Sequence, residues 1–183
     1  MDLKIEPQAL AKGVTFDAKS GAGLPQEFPA AIKAGALEAA DVGALAGYSL
    51  MGVNISLVSV KTRDKESTEM AFKVASSLAF REAIKTVKSQ LLEPIFKLEI
   101  FTPDDFTGAV IGDLNARRGK VHNMGPKPGG QSIQAEAPLA TLFGYATDLR
   151  SLTQGRSSFS MEFQEYAPIP PKVEAEILNK LGR

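Results

Sequence analysis

Pro94-Ile95-Phe96-Lys97-Leu98-Glu99-Ile100 opens the stretch that decides the fold, because Phe96, Leu98 and Ile100 alternate with Lys97 and Glu99. That period of two is the signature of a strand with one buried face. Thr102-Pro103-Asp104-Asp105 then reads as the start of a helix, with Thr102 as N-cap, Pro103 in the first turn and two acids at the positive end of the dipole. The helix extends to about Arg117 and places Phe106, Val110 and Leu114 on one stripe before Gly119 closes it. Two strands follow, near 120–124 and 132–137, joined by Gly125-Pro126-Lys127-Pro128-Gly129-Gly130, a tip that reads as neither strand nor helix. A second helix over about 139–153 carries Leu142, Tyr145/Ala146, Leu149 and Leu152, and Phe159, Met161 and Phe163 alternate in a last strand. Strand, helix, strand, strand, helix, strand is the split βαβ order, in which two helices cover one face of an antiparallel sheet.

Working outward, Lys88 to Glu93 reads as a boundary, since Pro94 follows and a new strand begins. Upstream, Leu3-Lys4-Ile5-Glu6 and Val14-Thr15-Phe16-Asp17 alternate as short half-exposed strands, and Ser49 to Val60 forms a Val/Ile/Leu-rich strand. A helix opens near Pro25 and carries Phe28, Ile32, Ala36 and Ala39/Ala40 on one stripe. A second runs from about Ser67 to Val87, and the three- and four-residue steps of Ala71, Val74, Ala75, Leu78, Ala79 and Ala83 point to that face as the buried one. Downstream, Pro168-Ile169-Pro170-Pro171 is a stiff spacer before a short helix with Val173, Ile177 and Leu181. The chain therefore reads as α+β in two domains, residues 1–91 and 92–183, with the terminal helix in the second.

The bulk numbers narrow the function classes. Twenty-one basic and 21 acidic side chains balance, so any nucleic-acid contact must come from a local patch rather than a global field. With no cysteine, disulfides, thiolate metal sites and cysteine nucleophiles are excluded, which fits a reducing cytoplasm. No window approaches the roughly 20 apolar residues that a membrane-spanning helix needs.

Three longer motifs then come into view: Leu92-Glu93-Pro94-Ile95, Gly112-Asp113-Leu114-Asn115-Ala116-Arg117-Arg118-Gly119, and Phe143-Gly144-Tyr145-Ala146-Thr147-Asp148-Leu149-Arg150-Ser151-Leu152-Thr153-Gln154-Gly155-Arg156. They resemble the last domain, domain V, of translation elongation factor G. Leu24-Pro25-Gln26-Glu27-Phe28, Leu45-Ala46-Gly47-Tyr48 and Ser67-Thr68-Glu69-Met70-Ala71-Phe72-Lys73 are similar to its domain IV. The resemblance implies a ribosomal-protein-like βαβ domain with a left-handed crossover, followed by a ferredoxin-like βαββαβ domain. It implies a parent GTPase that uses GTP and magnesium upstream of this chain and moves tRNA and mRNA on the ribosome. Domain IV would reach the decoding site, and domain V would meet rRNA and ribosomal proteins of the large subunit. Two departures stand out. The Gly-rich segment that opens domain IV is missing before Leu3, so the chain reads as N-terminally trimmed, and Arg63 stands where the family usually has a tip-loop histidine. The second points towards a ribosome-recycling or ribosome-protection relative as an alternative.

Catalytic chemistry finds no support in the residues. Gly119-Lys120 is followed by Val121, and Leu114 stands where a P-loop needs its first glycine, so no phosphate cradle exists and no cofactor or metal is expected in this chain. His122 is the only histidine, and Ser157, Ser158 and Ser160 lack a base in any recognisable motif. The candidate ribosome-binding residues are the cations near loops: Lys61, Arg63 and Lys65 in one charged turn, Arg117, Arg118 and Lys120 at one helix end, and Arg150 and Arg156 at another. Cations at helix C-termini are favoured by the dipole alone, so Arg117 and Arg118 are equally readable as structural. A stand-alone αβ regulatory or small-ligand module is the alternative from another class.

Overall fold

The computed structural model describes residues 1–18, 24–25, 27–63 and 67–181. In chain order its elements are β1 (Asp2–Pro7), β2 (Val14–Asp17), α1 (Glu27–Val42), β3 (Val53–Ser59), α2 (Glu69–Lys85), β4 (Leu92–Thr102), α3 (Thr107–Ala116), β5 (Lys120–Lys127), β6 (Gly130–Pro138), α4 (Leu139–Leu142), α5 (Tyr145–Leu152), β7 (Ser158–Pro168) and α6 (Pro171–Lys180). They form two units, Met1–Leu91 with Pro171–Arg183, and Leu92–Pro170. The grouping differs from the expected span 92–183 at its end. The α6 helix belongs with the first unit, where the Leu91 amide donates to Glu174 Oε1 at 3.1 Å across 83 residues.

In the first unit β3 is central, antiparallel to β1 and parallel to β2, so β2–α1–β3 is the crossover. Ile55 and Leu57 point from β3 into the core formed with Ile32, Ala36, Phe72, Phe80 and Ile84. The buried row of α2 is Phe72, Ser76, Phe80 and Ile84, at strict four-residue steps, and not the alanine-rich face expected from the sequence. Val74 and Leu78 are instead 50% and 56% exposed. The two faces have similar periodicity, and bulk decides between them. Each phenylalanine removes more apolar area from water than the alanines opposite, at roughly 25 cal/mol per Å². Helix α1 meets α2 at Gly35, where an added Cβ would overlap Lys73 O and Ser76 Oγ, so the close helix crossing requires glycine there.

The second unit is a four-stranded antiparallel sheet in the order β5-β6-β4-β7, with long α3 and α5 connections. This is the ferredoxin-like order that the sequence pattern predicts. Leu98, Ile100, Ile133 and Ala135 face Val110, Leu114, Tyr145 and Leu149 from the helices. The opposite sheet face carries cross-strand pairs of unlike charge, Lys97 with Glu162, Lys120 with Glu136 and Lys127 with Glu99.

Three local expectations are corrected here. Thr102 is the last residue of β4, fully buried and accepting from Ser157 Oγ at 2.8 Å, and so does not cap α3. A 3-10 turn, Asp104–Phe106, stands between β4 and α3. The hairpin tip is shorter than expected, since Lys127 pairs with Gly130 and leaves only Pro128-Gly129 in the turn. Pro126 is tolerated because β5 is an edge strand, and Gly129 at φ 87° meets the positive φ that a Pro-Gly turn demands. The single helix expected over 139–153 is two, α4 and α5, broken at Phe143-Gly144 with Gly144 at φ 79°. Leu142, Tyr145 and Leu149 are buried as the stripe predicted, whereas Ala146 and Leu152 are exposed.

Candidate ribosome interface

Helices α3 and α5 end alike. After α3, the amide of Gly119 donates to Leu114 O at 2.7 Å and that of Arg118 to Asn115 O at 3.1 Å, with Arg118 left-handed at φ 61°. After α5, the amide of Gly155 donates to Arg150 O at 2.8 Å, with Gln154 left-handed at φ 54°. Both are Schellman-type endings in which the glycine follows the left-handed residue instead of occupying its place. At Gly119 the reason is steric, because an added Cβ would stand 2.7 Å from Leu114 O.

The candidate cations of the second unit sort sharply by partner. Arg117 Nε donates to Asp113 Oδ2 at 2.8 Å, Nη1 to Thr141 O at 2.8 Å and Nη2 to Asp148 Oδ2 at 2.5 Å. Its guanidinium also lies 5.1 Å over the ring of Tyr145. Asp113 holds the guanidinium pKa above its ordinary value, burial opposes this, and Asp148 adds to the rise. Burial pushes the Tyr145 phenol well above the usual tyrosine range, reinforced by Asp113 and opposed by Arg117, and its hydroxyl is buried without a hydrogen-bond partner. Arg118 makes a forked pair with Glu93 at 2.9 and 2.7 Å, and the Glu93 side chain is only 9% exposed. Arg117 and Arg118 therefore tie elements of this unit together, the structural one of the two roles that the sequence leaves open for them. Their donors are used on carboxylates and a carbonyl of the same unit. Lys120 is exposed on the open sheet face, 3.9 Å from Glu136, which also takes His122 Nε2 at 2.7 Å from a bulge in β5.

Arg150 and Arg156 differ. Among the described residues, the 92–170 segment has seven Lys and Arg, and these two alone have no carboxylate partner. They flank the same turn, for the nearest atom to an added Cβ at Gly155 would be Arg150 Cγ at 3.9 Å. Arg156 lies with Cζ 4.5 Å over the ring of Phe106. In the first unit, Lys61 and Arg63 are exposed, and the Arg63 amide donates to Ser67 Oγ at 2.7 Å while its carbonyl accepts from the Ser67 amide at 3.0 Å. Lys65 lies outside the described residues. Phe106 was not among the residues that sequence reasoning joined to the cations. Its four-residue spacing to Val110 marked it as core, whereas it is half-buried with Arg156 over its ring.

A phosphate cradle for nucleotide is not formed at Gly119-Lys120, because these residues follow α3 and lead into β5, whereas a P-loop precedes its helix. Among the described residues, no cluster of three or more His, Asp or Glu side chains could hold a metal, and no helix is long and apolar enough to cross a membrane.

The architecture defines a mixed α+β protein of two sheet-bearing units, the second ferredoxin-like and carrying two unneutralised arginines on one turn. Comparison with known proteins names the family. The model for "Elongation factor G, domain IV" matches residues 1–88, and that for "Elongation factor G C-terminus" matches residues 90–177. Elongation factor G 1 of Bdellovibrio bacteriovorus is 56% identical over 188 residues, covering 100% of this chain and 26% of that protein. A crystal structure from Thermus thermophilus superposes with a TM-score of 0.88 at 32% identity, covering 98% of this chain and 27% of the other. The chain belongs to the elongation factor G family, corresponds to its domain IV and C-terminal regions, and spans about a quarter of the length of these relatives.

Proposed function

We propose that this chain is the ribosome-contacting part of a cytoplasmic elongation factor of the G type. GTP and magnesium chemistry resides in the portion of the parent that precedes it, and no GTP hydrolysis belongs to these residues. The observation that carries the reading is the pair Arg150 and Arg156, unneutralised on one turn of a chain matched throughout by elongation factor G. In this reading that turn meets rRNA of the large subunit. The exposed Lys61 and Arg63, with Lys65 near them in sequence, face tRNA and mRNA at the decoding site, and Lys120 adds a weaker contact.

Because phosphate contacts release counterions, binding of the chain to purified bacterial ribosomes weakens steeply as salt rises. Sedimentation from about 50 to 200 mM KCl tests this, and a folded chain that ignores ribosomes at the low end sinks the proposal. Arg63, in place of the usual histidine, favours a second reading as a recycling or protection factor. Ribosome splitting by the full-length parent supports that role, and tRNA–mRNA translocation by it supports the first.

A further inference from the structure

Arg156 is fixed without being neutralised. On its N-terminal side Thr153 is wholly buried, with Oγ1 donating to Leu149 O at 2.7 Å, and the Arg156 amide donates to Thr153 O at 3.0 Å. On its C-terminal side Ser157 Oγ donates to Thr102 Oγ1 at 2.8 Å, tying the turn to the end of β4. The backbone is therefore pinned before and after the residue, and the side chain is held by the Phe106 ring at 4.5 Å. A ring face attracts a guanidinium through its quadrupole, which sets the plane of the group yet consumes none of its N–H donors and cancels none of its charge. Asp104, next to the platform, is taken by Gln131 Nε2 at 2.7 Å, and among the described residues no carboxylate lies within ion-pair distance of Arg156. Arg117, also stacked on an aromatic ring, shows the contrast, since there Asp113, Asp148 and Thr141 use the donors.

We infer that Phe106 is a positioning residue that holds the Arg156 guanidinium as a pre-organised fork for a phosphodiester of folded RNA. The inference rests on the ribosome-binding reading above and assigns its contact to one residue and one supporting ring. A planar fork already oriented meets a phosphate with two parallel hydrogen bonds and loses little side-chain freedom in doing so.

The test measures binding of the chain to purified bacterial large ribosomal subunits across a KCl series, with thermal melts to confirm folding. Arg156→Ala is expected to weaken binding about tenfold or more and to make the log–log salt slope shallower by about 0.7 to 0.9, the contribution of one phosphate. Phe106→Leu keeps the charge, so it weakens binding about threefold with the slope unchanged, and Phe106→Tyr restores wild-type affinity. A merely structural role for Phe106 would not give that split, and Phe106→Met supplies the same comparison should the leucine variant fail to fold. Wild-type affinity in both ring-deleted variants, Phe106→Leu and Phe106→Met, overturns the platform. An Arg156→Ala loss with no change of slope assigns the contact to protein instead of a phosphodiester and overturns the inference. Unchanged affinity and slope in Arg156→Ala, with salt-sensitive wild-type binding intact, sinks the inference and leaves the ribosome reading standing. No wild-type binding at low salt removes both.

Discussion

The ends of α3 and α5 share one backbone design and put their charges to opposite uses. Each ends in a left-handed residue followed by glycine, with an arginine at the turn, yet Arg118 closes on a buried carboxylate and Arg156 rests on a ring. The difference lies in what stands opposite. Glu93 on β4 reaches Arg118 across 25 residues, whereas Phe106 offers Arg156 no acceptor. A cation at a helix C-terminus thus says little about its role, because the dipole favours it in both cases. The partner across the turn decides whether the charge stabilises the fold or remains available to a ligand.

The largest expected effects come from breaking the structural side of this comparison. Arg117→Ala strips Asp113 and Thr141 O of their donor and should destabilise the second unit by about 3 kcal/mol. Arg118→Ala, which leaves Glu93 buried and unpaired, should cost about 2 kcal/mol. Arg150→Ala and Arg156→Ala should stay within about 0.5 kcal/mol of wild type. Urea denaturation measures all four, and an Arg156 variant as unstable as the Arg118 variant would erase the distinction.

A middle-sized effect separates the two glycines. Gly119→Ala drives a Cβ against Leu114 O and should cost about 2 kcal/mol, through steric overlap alone. Gly155→Ala meets only an ordinary contact with Arg150 Cγ at 3.9 Å, so its positive φ alone opposes the change, at about 1 kcal/mol. Equal losses would show that the endings are constrained in the same way. The smallest effect concerns the sheet face, where pairing is exposed. A hydrogen bond from Lys127, followed by its charge, holds the Glu99 carboxyl below the ordinary range. A depressed folded pKa means that the interaction is present above the unfolded value and lost as pH falls through the folded one. An NMR titration should place the Glu99 midpoint below that of a free glutamate, and Lys127→Ala should move it back up; an unmoved midpoint would deny the pairing.

The second unit was more legible than the first for a physical reason. On β4 and β6 one face is buried and the other solvated, so alternation at Phe96, Leu98 and Ile100 reports the core directly. Helix α2 carries apolar residues on two faces, and period alone could not choose Phe72, Ser76, Phe80 and Ile84 over Val74 and Leu78. Thr102 was misread because a threonine before Pro-Asp-Asp fits an N-cap equally well as a strand end, until Ser157, 55 residues away, supplies its partner. Pro126 and Gly125 looked like breakers because an edge strand's tolerance of them depends on which strand lies at the edge.

From the residues alone came the order of elements, the antiparallel ferredoxin-like pattern, the motifs shared with elongation factor G and the set of cations worth considering. All of these rest on local spacing, which a helix or strand imposes within a few residues. Tertiary structure decided the buried face of α2 and which arginines have a carboxylate partner. Those outcomes depend on groups far apart in the chain, such as Glu93 for Arg118 and Phe106 for Arg156, and no local period encodes which distant side chain will stand opposite.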